Sequence, residues 1–164
     1  MKVLLAIDGS PCSLAAVKEV TTRCWPGDTT VKVLAVVTTW IPSIPDPFLI
    51  GAAMHVDLMN NERERLYHLV AQTAAELRKT RDEGKLQTET LVADGSPKEV
   101  IVEEAERWGA DLIVIGSHGY GNVKRFMLGS VSQAVATHAP CSVYIVKDQK
   151  IAQQNGDSGG DDQR

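Results

Sequence analysis

The sequence runs to 164 residues, 43% hydrophobic and 23% charged, with a formal net charge of −4. That length supports one well-buried domain rather than two, and the globular composition excludes a chain disordered throughout. The apolar runs are strand-sized, which excludes a membrane-spanning helix, and the basic residues are scattered instead of gathered in a stripe, which argues against nucleic-acid binding.

The chain opens directly on a strand with no leader-like segment, so a cytoplasmic location is expected. Lys2 to Ile7 is a continuous apolar run of the kind buried on both faces of a parallel sheet, and it delivers Asp8 at its carboxyl end. Ser10 and Pro11 suit the N-cap and first position of a helix, with Leu14, Val17, Val20 and Cys24 as its apolar face. If Cys12 and Cys24 share that helix, they stand about 18 Å apart, beyond the reach of a disulfide. With Cys141 they make an odd set without a C-x-x-C pair, against a disulfide framework.

Val31 to Val37 is a second apolar strand, followed by Ile41 to Phe48, where Pro42, Pro45 and Pro47 forbid regular structure and predict an extended loop able to serve as lid or partner surface. From His55 to Arg81 the spacing predicts a long helix, with Leu66, Leu69, Val70, Thr73 and Leu77 on one face, Glu62 to Arg65 on the other, and Gly84 marking its end. Gln87 to Val92 alternates polar and apolar residues, as a strand near a sheet edge does. Ser96-Pro97-Lys98-Glu99 has the form of a capping box and starts a helix whose buried stripe is Ile101, Ala105 and Trp108. Ala110 to Ile115 is a fourth strand, Val131 to His138 a short helix stopped by Pro140, and Ser142 to Val146 a fifth strand. This alternation is that of a doubly wound parallel α/β domain over residues 1–148, and the polar segment 149–164 reads as a disordered tail.

Between the fourth strand and the last helix lies a polar, glycine-rich loop in which Gly116, Gly119, Gly129 and Ser130 are spaced G-x2-G-x9-G-S. Bare amides in a glycine loop, joined by the positive end of a helix dipole, make a site for anionic oxygens, so phosphate is the first ligand to consider; the amide of Val131 adds to the same region. The spacing is neither a Walker A loop nor a dinucleotide fingerprint. Gly116 and Gly119 could otherwise be turn glycines with positive φ. His118, Lys124 and Arg125 lie within the loop, where they could meet phosphate or be solvated, and Lys124 and Arg125 could equally make a dimer contact.

The motif, in its strand-loop-helix context, resembles that of the universal stress protein family, and the resemblance spans roughly residues 1 to 148. It implies a Rossmann-like, five-stranded parallel sheet of order 3-2-1-4-5 with helices on both faces. Its switch point, where ligands of such sheets bind, falls beside Asp8 and Gly116. It further implies that ATP or AMP is bound through Gly116, Gly119, Gly129 and Ser130, with Asp8 accepting from ribose or adenine, Val36 reading the adenine edge through its backbone, and Ala6 lying against ribose and base. From the residues alone, Asp8 could instead cap its own Asp-Gly-Ser turn, and Ala6 and Val36 could be plain core.

Any Mg²⁺ would come with the nucleotide, since His55, His68 and His138 share no metal-ligand spacing. The fifth strand lacks the protections of an exposed edge, and family dimers pair this strand, so a homodimer through Ser142 to Val146 is expected. No Ser-His-Asp set or carboxylate pair marks a catalytic centre. The reading is a homodimeric, nucleotide-dependent stress sensor or regulator with an unidentified partner protein. The rivals are a slow ATPase or self-phosphorylating protein, with Ser130 as one acceptor, and an interaction module that binds no nucleotide.

Overall fold

The computed structural model describes residues 1–38, 52–79, 86–120 and 128–148. The elements follow one another as β1 (Lys2–Ala6), α1 (Pro11–Thr22), β2 (Thr30–Val37), α2 (Ala52–Lys79), β3 (Gln87–Asp94), α3 (Pro97–Trp108), β4 (Leu112–Gly116), α4 (Ser130–His138) and β5 (Ser142–Val146). The strands form one parallel sheet in the order β3-β2-β1-β4-β5, with Val3 level with Val31 on one side and Leu112 on the other. The expected fold and strand order are therefore present, and β5 is an edge.

The period of two along each strand sorts the core into two layers. Val3, Leu5, Val31, Val33, Val37 and Val114 pack with α1 and α2, whereas Leu4, Leu34, Ile113 and Ile115 pack with α3 and α4. Central strands covered on both faces must be apolar on both, which is why β1 and β4 are uninterrupted apolar runs. Helix α2 presents Leu66, Val70, Thr73 and Leu77 to the sheet as its spacing predicts, and Ala74 joins them.

Four local expectations are corrected. Helix α1 stops at Thr22, leaving Cys24 beyond it and exposed, and Leu14 points to solvent at 51% exposure. Its buried stripe is Cys12, Ser13, Ala16, Val17 and Val20, small residues near the N-terminus because the helix start is pressed against the loop after β4. Cys12 and Cys24 therefore do not share a helix, and all three cysteines are free, as expected. Ser96 does cap α3, but its side chain makes no capping bond, so the box is not closed.

Trp108 is only half-buried, and the third buried contact of α3 is Glu104. Lys32, in the middle of β2, faces α3 and pairs with Glu104 at 3.0 Å and Glu89 at 2.9 Å, its ammonium 4.4 Å from the Trp108 ring centre. A buried carboxylate on α3 is explained by this buried lysine beneath it. The fourth correction concerns the polar face of α2 and belongs with the site below. The proline-rich loop Ile41 to Phe48, Gly84, Lys124, Arg125 and the tail 149–164 lie outside the described residues.

Candidate functional site

A cavity of about 660 Å³ opens at the carboxyl ends of the strands, where β1 and β4 lie side by side and their connections leave in opposite directions. Ala6, Asp8, Val36, Gly116, Gly119, Gly129, Ser130 and Val131 all line it. Eight residues chosen across 126 positions of sequence thus reach one space.

The β1–α1 turn forms the floor. Gly9 holds φ at 90°, a left-handed conformation that side chains disfavour, and this lets the chain reverse into α1. One oxygen of Asp8, Oδ1, accepts the Ser10 N–H at 2.8 Å, so the local turn bond read as an alternative is made. The other oxygen, Oδ2, faces the opposite loop: a Cβ on Gly119 would lie 2.8 Å from it. The two readings of Asp8 are compatible, because the turn uses one oxygen and leaves the second toward the glycine loop.

The glycine loop forms the wall. Neither Gly116 nor Gly119 has positive φ, so turn geometry is not what requires them. A Cβ on Gly116 would stand 2.7 Å from both the Cys12 carbonyl carbon and the Ser13 amide nitrogen, inside the first turn of α1. Glycine is needed there for close approach. Serine hydroxyls then tie the two loops together behind the cavity. Ser10 Oγ donates to the His118 carbonyl at 3.2 Å, and Ser132 Oγ donates to the Ser117 carbonyl at 2.8 Å. Ser117 Oγ lies 3.6 Å from Cys12 Sγ and 3.0 Å from His118 Nδ1. Ser117 is 1% exposed and does not line the cavity, so this serine–histidine contact braces the loop instead of presenting a nucleophile.

Gly129 is the N-cap of α4 and brings no capping side chain, and the exposed Ser130 follows it at the first helical position. The amides of the first turn have no partner within a helix, and Ser130 and Val131, which carry two of them, line the cavity. The opposite half of the cavity, lined by Ala6, Leu34, Val36, Pro97, Ile101 and Ile115, is apolar. A ligand with one flat apolar part and one anionic part matches both halves.

Helix α2 supplies the wall that sequence reasoning missed. Glu62 and Arg65, expected on the solvent face, line the cavity. Arg65 Nε and Nη2 reach the Glu62 carboxylate at 2.8 and 2.7 Å, and Nη2 also donates to the Asp8 carbonyl at 3.2 Å. The Arg65 hydrogen bond holds the Glu62 carboxyl below its ordinary range against the opposing pull of partial burial, and the same bond raises the guanidinium. The signal was present: residues 62, 65, 66 and 69 form an i, i+3, i+4, i+7 stripe that extends the buried face toward the carboxyl ends. Tyr120, 68% exposed, also lines the cavity.

Among the described residues no group of three potential ligands could hold a metal ion, and no helix is long and apolar enough to cross a membrane.

Fold and cavity together define a doubly wound α/β protein with a crevice at its switch point. The profile of the Universal stress protein family matches residues 1–147, and the chain belongs to that family. It is 34% identical over 155 residues to the universal stress protein YxiE of Bacillus subtilis, covering 89% of this chain and 98% of that protein. Among solved structures, it is similar to the universal stress protein UspA from Lactobacillus plantarum, with a TM-score of 0.72 and 24% identity over 89% of this chain and 97% of the other. It is also similar to an Arabidopsis thaliana universal stress protein family protein with AMP bound, with a TM-score of 0.61 and 18% identity over 90% and 91% of the two chains.

Proposed function

We propose that this protein binds an adenine nucleotide, ATP or AMP, in the cavity at the switch point, and acts as a nucleotide-dependent regulator in the stress response. The observation that supports the reading is one cavity lined both by apolar side chains of the sheet and α3 and by the glycines and first helical residues around the start of α4, with Asp8 Oδ2 beside Gly119. The base and ribose fit the first half, beside Ala6, Val36 and Asp8; the phosphates fit Gly116, Gly119, Gly129, Ser130 and Val131. Mg²⁺ would arrive on the phosphates, which hold such an ion together with water. The AMP carried by the Arabidopsis relative supports an adenine nucleotide as the ligand class.

Asp8→Asn removes the charge and keeps the shape, so the turn bond to Ser10 survives while the acceptor facing Gly119 weakens. Equilibrium dialysis with labelled AMP is expected to give an affinity reduced about tenfold, the size of one charge-assisted hydrogen bond. An unchanged affinity would remove Asp8 from the ligand site.

The functional unit is a cytoplasmic homodimer paired through β5, comprising a domain of residues 1–148 and the tail 149–164. The edge position of β5 supports it, because an unpaired apolar edge is a template for a second copy. Static light scattering at micromolar concentration is expected to return twice the chain mass; a single chain's mass would reject this interface.

A further inference from the structure

We propose that Arg65, contributed by α2, is a phosphate-binding residue of the cavity and sets its preference for charged over uncharged nucleosides. This rests on the nucleotide reading above and adds a residue from an element outside the glycine motif.

The first observation is charge. Among the described residues lining the cavity, Asp8 and Glu62 are carboxylates and Arg65 is the only lysine or arginine. An anion entering there meets two negative charges, and amide dipoles carry only partial positive charge to set against them. Arg65 brings a full one.

The second observation is placement. Arg65 Nη1 lies 3.1 Å from the point where a Gly9 Cβ would stand, and the Tyr120 hydroxyl lies 2.9 Å from that same point. The guanidinium therefore converges with the glycine loop above the β1–α1 turn. The absence of a side chain at Gly9 is what admits both. Arg65 Nη2, bonded to the Asp8 carbonyl at 3.2 Å, fixes the guanidinium beside the residue whose Oδ2 faces Gly119.

The third observation is the weakness of its present partner. The Arg65–Glu62 pair joins residues three apart on one helix, with side chains 42% and 44% exposed. Pairs so exposed are screened by water and contribute little. A terminal phosphate also offers the guanidinium fork a pair of oxygens, and carries more charge than a carboxylate. Exchange of Glu62 for a phosphate oxygen is thus favoured, and Glu62 serves to hold Arg65 at the mouth until a ligand arrives. A lysine would carry the charge without the fork, so it would replace arginine only in part.

The test is calorimetric titration of wild type, Arg65→Gln and Arg65→Lys with Mg-ATP and AMP. Adenosine is followed at millimolar concentration by broadening of its base proton resonances. The expected result is that Arg65→Gln weakens ATP binding tenfold or more and changes adenosine binding by less than twofold, with Arg65→Lys between. Equal weakening of adenosine and ATP would overturn the proposal, since it would mean that Arg65 only positions the Asp8 turn. Unchanged ATP binding by Arg65→Gln, with wild type binding normally, would also overturn it and leave the nucleotide reading standing. Failure of wild type to bind any of the three would overturn both.

Discussion

Gly116→Ala is expected to lower the free energy of unfolding by about 3 kcal/mol, the upper part of the range for overpacking, and to weaken nucleotide binding at least tenfold. The added methyl would sit 2.7 Å from backbone atoms of Cys12 and Ser13, and backbone in the first turn of a helix cannot rotate away as a side-chain end can. Either α1 moves off β4 or the loop moves off α1. Both movements strain the Ser10 bond to the His118 carbonyl, which joins the floor of the cavity to its wall. Gly119→Ala makes the contrast: its methyl meets only Asp8 Oδ2, the mobile end of a side chain, so binding falls while stability changes by less than about 1 kcal/mol. Urea unfolding and AMP titration of the two variants separate the effects. Equal stability of the two would contradict the close-approach account of Gly116.

The second large effect lies away from the cavity. Glu104→Ala is expected to destabilise by about 3 kcal/mol, because it leaves Lys32, 7% exposed, with only the half-exposed Glu89 and the Trp108 ring as partners among the described residues. Lys32→Met is expected to cost about as much, since Glu104 then relies on Arg107 from the solvent side. The double variant Lys32→Met, Glu104→Leu replaces the pair by apolar groups of similar volume and is expected to fall within about 1 kcal/mol of wild type. AMP affinity should be unchanged in all three, because neither residue lines the cavity. If the single changes cost less than about 1 kcal/mol and the double change is additive, water or Glu89 satisfies the lysine and the pair is not a buried unit.

Much of this was legible from the residues. β1 and β4 declare themselves because a strand covered on both faces must be apolar throughout, and β3 lies at the expected edge with none of its residues buried, although its exposure does not alternate. The eight proposed ligand positions follow from a glycine spacing and its resemblance to a family, and they meet in one cavity because parallel strands all end at the same side of the sheet.

What escaped notice depends on contacts between distant segments. Lys32 hides inside an apolar run, and its partner Glu104 is 72 positions away. Leu14 looks like a core residue until the loop after β4 is seen to fix which side of α1 is buried, the side carrying Cys12, Ser13 and Ala16. Ser96 has the sequence of a closed capping box without the side-chain bond. Arg65 belongs to a charged run that periodicity assigns to solvent in its middle, yet its position one residue before Leu66 puts it on the margin of the buried stripe. Where that margin passes the strand ends, a charged residue faces the cavity instead of bulk water.

The measurement that bears most directly on the account is a calorimetric titration of nucleotide-free wild-type protein with Mg-ATP and, separately, AMP, followed by chromatography of the recovered nucleotide. The account predicts saturable binding of adenine nucleotide at one site per chain, with ATP recovered intact. ATP returning as ADP would contradict the regulator reading and move the protein to slow hydrolysis. No heat and no displacement with either nucleotide would contradict the central claim and leave a dimeric interaction module.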